Sequence, residues 1–105
     1  MKCMKRYARK MNGYNKSLFD TEQGKCFYCN RYGDTARHEM FYGIANRQKA
    51  KTLGYWVNLC VSCHMSAHAH PNSGVDRYLK QTGQKKYEKN HTRQEFINEW
   101  GRSYL

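Results

Sequence analysis

Two Cys-x-x-Cys pairs, Cys26-Phe27-Tyr28-Cys29 and Cys60-Val61-Ser62-Cys63, stand thirty residues apart, and His64 follows the second pair directly. Two such knuckles suit one tetrahedral Zn²⁺ that draws two thiolates from each. Four cysteines that merely pair up by chance, or two separate redox motifs, fit worse. The pairs are symmetric, and each borders a turn or a strand-to-helix junction. The binding free energy of such a site becomes folding free energy. That matters here because the chain has 105 residues and is read as one small domain with a modest apolar core. Nine of its residues are tyrosines, whose hydroxyls favour a wet edge. The fifth cysteine, Cys3, is read as a free structural thiol.

Charge narrows the partners. Nineteen Lys and Arg against eight Asp and Glu give a formal net charge of +11, which favours a polyanion, most commonly nucleic acid. No stretch approaches the ~20 apolar residues of a membrane span. The N-terminus is basic without the apolar run of an export signal, so thiols in a reducing cytoplasm are expected.

Along the chain, residues 1–16 carry Lys2, Lys5, Arg6, Arg9, Lys10 and Lys16 with no acidic residue. They read either as a short helix ended by Asn12-Gly13 or as a loose basic arm. Residues 17–105 form the domain, with a core over 26–70 and a helical extension over 75–105. Leu18-Phe19 is an apolar anchor for the zinc module. Thr35 to Phe41 and Tyr55 to Leu59 have β character. Tyr42 to Gly54 between them reads as a long basic loop with Arg47, Lys49 and Lys51. A helix carrying Cys63, His64 and His68 follows and ends at Pro71-Asn72-Ser73-Gly74. Val75 to Tyr87 is a further helix, weakened by Gly83, with Val75, Leu79 and either Tyr78 or Thr82 inward. Thr92-Arg93-Gln94-Glu95 has the form of a capping box, opening a helix with Phe96, Ile97 and Trp100 toward the core and Gly101 as its C-cap.

His64 and His68 lie four residues apart, so a helix places both imidazoles on one face. With four thiolates filling the zinc, they are free for another ion, and His38 on the first strand supplies a third ligand. A cation with few protein ligands keeps positions for water and a phosphate oxygen, as metal-assisted hydrolysis requires. His70 and His91 lack such partners and read as surface residues. Tyr42, Tyr55 and Trp56 are read as packing residues ahead of base-stacking ones.

His38-Glu39-Met40-Phe41-Tyr42-Gly43-Ile44-Ala45-Asn46-Arg47, then Gly54-Tyr55, then Leu59-Cys60-x-x-Cys63-His64 resembles small phage-type HNH (ββα-metal) endonucleases. The tail Phe96-Ile97-x-x-x-Gly101-Arg102-x-Tyr104-Leu105 is similar to that group as well, so the resemblance spans about residues 17–105. It implies an α+β fold: a ββα-metal (His-Me finger) module on a four-cysteine zinc scaffold with C-terminal helices.

The resemblance also implies a metal-dependent DNA endonuclease, phage or prophage encoded and acting in the bacterial cytoplasm. Its cofactors are the structural Zn²⁺ and a second divalent ion (Mg²⁺, Mn²⁺, Ni²⁺ or Zn²⁺). Its partners are DNA and a phage or host protein. His38 and Glu39 occupy the paired positions of the motif, with Glu39 where the second histidine usually stands. Two assignments follow: Glu39 as base with His38 as ligand, or His38 as base with Glu39 ligating or orienting. His64 matches the closing metal ligand and His68 an additional ligand one turn later. Asn46 is the first choice for the motif's asparagine, ahead of Asn58. Lys2, Lys5, Arg6, Arg9, Lys10, Arg47, Lys49 and Lys51 are the expected phosphate contacts. Because Glu39 replaces a histidine, the alternative is a non-catalytic zinc module that binds nucleic acid or regulates a partner.

Overall fold

The computed structural model describes residues 13–105 as a small α+β chain. Its elements are β1 (Thr35–Glu39), α1 (Ile44–Leu53), β2 (Trp56–Cys60), α2 (Val61–Ala69), α3 (Gly74–Tyr87) and α4 (Arg93–Trp100). Lys2, Lys5, Arg6, Arg9, Lys10 and Cys3 lie outside the described residues, and so does the reading of that segment as helix or arm. Among the described residues no helix is long and apolar enough to cross a membrane.

β1 and β2 pair antiparallel, from Thr35 opposite Cys60 to Glu39 opposite Trp56. Side chains alternate between the two faces of a strand, so this register sorts the motif residues. His38 and Val57 share one face with Ala36 and Leu59. Arg37, Glu39, Trp56 and Asn58 take the other. Residues 14–21 cover that second face. Tyr14 packs edge-on against Trp56 at 5.4 Å, and the Trp56 Nε1–H donates to the Asn15 carbonyl at 2.7 Å. Asn58 donates through its backbone N–H and its Nδ2 to Thr21 Oγ1. Tyr14 and Asn15, expected within the arm, are therefore bound to the domain.

The first face meets the core. Phe41 is buried at its centre, with ring centroids 4.5 Å from Trp100 and 5.4 Å from Phe96. Leu79 and Val75 of α3 close the same cluster. Tyr78 stays half exposed and packs on Tyr28 of the first knuckle. Phe19 packs on Phe27 and Tyr55, as an anchor should, whereas Leu18 is nearly half exposed.

The expected basic loop is the helix α1. Gly43 precedes it, and Gly54 ends it in the left-handed conformation with its N–H donating to the Ala50 carbonyl. Only Ala50 of its ten residues is buried, so the helix lacks the apolar stripe by which a helix is read from sequence. The three cations on it each have an intramolecular partner. Arg47 pairs with Glu39 at 3.5 Å, Lys49 pairs with Glu99 at 3.2 Å, and Lys51 lies 5.1 Å above the Tyr14 ring.

The remaining helices follow their sequence signals. Thr92 and Glu95 form the reciprocal capping box, and Gly101 caps the far end of α4. Gly83 marks a close approach: a Cβ there would lie 2.8 Å from the Phe41 ring.

Candidate metal centres

Cys26 and Cys29 sit on a tight turn whose backbone folds back on itself. Cys26 N–H donates to the Arg31 carbonyl at 2.9 Å, and Asn30, at φ 67°, donates to the Cys26 carbonyl. Asparagine tolerates that left-handed conformation better than other side-chain-bearing residues. Cys60 ends β2 and caps α2, its sulfur accepting from the Cys63 N–H at 3.4 Å. The matching bond in the first knuckle runs from Cys29 N–H to Cys26 Sγ at 3.5 Å. Phe27 N–H donates to the Asn58 carbonyl and so ties the first knuckle to β2.

These connections bring the sulfurs of Cys26, Cys29, Cys60 and Cys63 within 4.8 Å of one another. Cys29 Sγ and Cys60 Sγ are 3.8 Å apart. A tetrahedron with Zn–S bonds of about 2.3 Å has an edge of about 3.8 Å, so the donor set fits a structural zinc. Burial works against the Cys26 thiolate, but backbone and thiol hydrogen bonds outweigh it and bring that thiol down to about 6. Burial and bonds from the other three thiols push Cys63 up. A cation that takes the place of those shared protons resolves the crowding.

A second candidate cluster lies where β1 meets α2. His38, His64 and His68 offer nitrogens within 4.8 Å of one another. Their ring centroids are 4.8 Å apart for the helical pair and 5.2 Å from His38 to each of the others. His64 Nε2 and His68 Nε2 stand 3.2 Å apart. Two nitrogens at about 2.0–2.1 Å from one cation are separated by about 3.0–3.4 Å, so this spacing fits a shared ion. His38 is 1% exposed, and among the described residues its Nε2 has no hydrogen-bond partner. A buried polar atom left unpaired is costly, and a metal satisfies it. Burial and the neighbouring His64 and His68 push His38 down to about 3. His64 is lowered by burial and His68, with the Glu39 charge opposing. His70 is exposed; His91 is exposed and stacks on Tyr87 at 4.1 Å.

Other expected site residues lie apart from this trio. Glu39 accepts a hydrogen bond from the Tyr14 hydroxyl and pairs with Arg47, on the opposite sheet face from His38. Asn46, expected to orient the base from a loop, stands on α1 instead and donates to the Trp100 carbonyl at 2.9 Å. Asn58 is held by Thr21.

A polar network behind the trio has no counterpart among the sequence expectations. Tyr42 lies 5.5 Å from the His68 ring and 5.9 Å from His38, and its hydroxyl donates to Asp76 Oδ1 at 2.9 Å. Asp76 is fully buried, pairs with Lys80 at 2.9 Å and accepts from the Asn72 N–H. Lys80 also donates to Asn72 Oδ1. The signal in the sequence is an Asp and a Lys one turn apart beside the apolar stripe of Val75 and Leu79.

No family model, curated protein or solved structure matches this chain.

Proposed function

We propose that this chain is a metal-dependent DNA endonuclease of the HNH type, carried on a four-cysteine zinc scaffold. The observation that carries the reading is the convergence of His38, His64 and His68 from a strand and a helix. Three neutral imidazoles leave coordination positions for a phosphate oxygen and water. A divalent cation held there supplies Lewis acidity toward the scissile phosphodiester and the attacking water.

His38 acts in this reading as a ligand. Its depressed basicity suits a neutral donor, whereas a general base works best with a pKa near the operating pH. Glu39 would have to leave Tyr14 and Arg47 and cross the sheet to serve as base, so its role is to hold those two residues on the far face. Tyr42 rests on His68 and anchors its hydroxyl on Asp76, which fixes the wall of the site. The net charge of +11 supports DNA as the substrate.

Supercoiled plasmid incubated with Mg²⁺, Mn²⁺, Ni²⁺ or Zn²⁺ tests the reading. Nicking by the natural chain, abolished by His64→Ala and by His68→Ala, is the expected result. Intact plasmid with all four ions refutes hydrolysis. The commitment of Glu39 to Tyr14 and Arg47 favours a second reading, a nucleic-acid-binding module without catalysis. Retained DNA binding without nicking selects it.

A further inference from the structure

The cations expected to grip DNA on α1 are engaged within the chain, whereas a second cationic surface carries two arginines outside any ion pair among the described residues. Asn72, Arg77, Gln81 and residues 102–105 line a cleft of about 260 Å³ between α3 and the C-terminal tail, and none of them has an Asp or Glu side chain. Among the described residues neither Arg77 nor Arg102 forms an ion pair. Arg102 lies 5.2 Å from the Tyr104 ring centroid.

Ser103 and Asn72 in this cleft each keep a donor. Ser103 Oγ accepts from Gln84 Nε2 at 2.9 Å and from Leu105 N–H at 3.2 Å, so its own proton is free to donate. Asn72 Oδ1 accepts from Lys80, which leaves the Asn72 Nδ2 protons available. The walls are fixed from beneath. Fully buried Gln84 also accepts the Tyr104 N–H at 2.6 Å, and Gln81 Nε2 donates to the Tyr104 carbonyl at 2.8 Å. Two guanidiniums, an amide and a hydroxyl form a donor set suited to phosphate.

The groove is also continuous with the histidine trio. Lys80 contacts Asn72 and lies over both Tyr104 and Tyr42, and Tyr42 packs on His68. We infer that Arg77 and Arg102 seat a backbone phosphate of the DNA strand, flanking the one presented to His38, His64 and His68. The inference rests on the reading of this chain as a DNA-binding protein but not on catalysis.

Binding of a labelled 20-bp duplex, measured across a salt series without added divalent ion, tests it. Each neutralised phosphate contributes about 0.9 to the slope of log affinity against log salt. Replacing both residues, Arg77→Ala with Arg102→Ala, removes the contact to that one phosphate and is expected to reduce the slope by about 1 and weaken binding. Arg77→Lys with Arg102→Lys restores most of the slope. Removing equal charge at Lys85 and Lys89, outside the groove, changes it by less than half as much. An unchanged slope in the alanine pair overturns the inference while leaving the nuclease reading intact. A natural chain that does not bind the duplex overturns both. A reduced slope in a protein that never nicks plasmid supports the groove and removes only the hydrolysis. Displacement of the duplex by millimolar inorganic phosphate at constant ionic strength would assign the groove to a free anion instead.

Discussion

His38 is packed into the protein at a position where a charge has no water and two other imidazoles for neighbours. Its pKa in the fold, about 3, lies below the usual value of 6.5, so the unfolded chain takes up the proton first. The stabilising contribution is therefore complete above about pH 6.5 and is lost as pH falls from there toward 3, at up to about 1.4 kcal/mol per pH unit. Thermal stability between pH 7 and 5, without a second ion, should fall more steeply for the natural chain than for His38→Gln; parallel curves contradict the assignment. A second expectation concerns cation binding. Titration with Co²⁺ or Ni²⁺ of zinc-loaded protein should show one further site, lost in His64→Ala and in His68→Ala without change in zinc content. The helical pair is legible as residues four apart. Its third member is legible only as a histidine on a strand. Glu39 and Asn46 fall elsewhere than expected because a motif gives order along the chain, whereas strand alternation and helix α1 decide which side chains meet.

The helices show where local signals suffice and where packing overrules them. Thr92 and Glu95 announce α4 because a capping box is a contact between near neighbours. Gly83 reads as a weakness in α3, yet its missing side chain admits the Phe41 ring. Alanine normally gains about 1 kcal/mol over glycine in a helix, but overpacking a core costs about 1–3 kcal/mol. Gly83→Ala is therefore expected to lower the melting temperature despite its better propensity; a rise would show that Phe41 moves aside freely. Gly54→Ala should destabilise more, since its φ is +87° and a Cβ would stand 2.5 Å from the Lys16 carbonyl. Chemical denaturation of the two variants side by side checks the order. Helix α1 escapes sequence reading for a related reason. Its residues are mostly good helix formers, but with a single buried position it has almost no periodicity to detect.

For the molecule as a whole, the decisive quantity is how much of the fold the thiolate clamp supports. The two knuckles come from distant parts of the chain, and a small domain gains disproportionately from such a tie. Purified protein should contain one tightly held zinc per chain by elemental analysis. Stripping it with a strong chelator should remove the cooperative thermal transition and most helical circular dichroism. Retention of both would mean the aromatic core around Phe41 suffices alone. The +11 charge is readable at once, but its distribution is not, because the pairing of Arg47 and Lys49 depends on tertiary contacts of α1 with β1 and α4.

Helix α2 has nine residues, and its first turns hold Cys63 and His64 side by side, with His68 one turn on. The strand before it ends in Cys60, so the same short rod is gripped at one end by sulfur and presents nitrogen along its flank. Conversion of the cysteines to disulfides is expected to disturb the histidine cluster as well. Peroxide treatment is therefore expected to weaken any cation binding at the histidines, because Cys63 and His64 are joined by a single peptide bond.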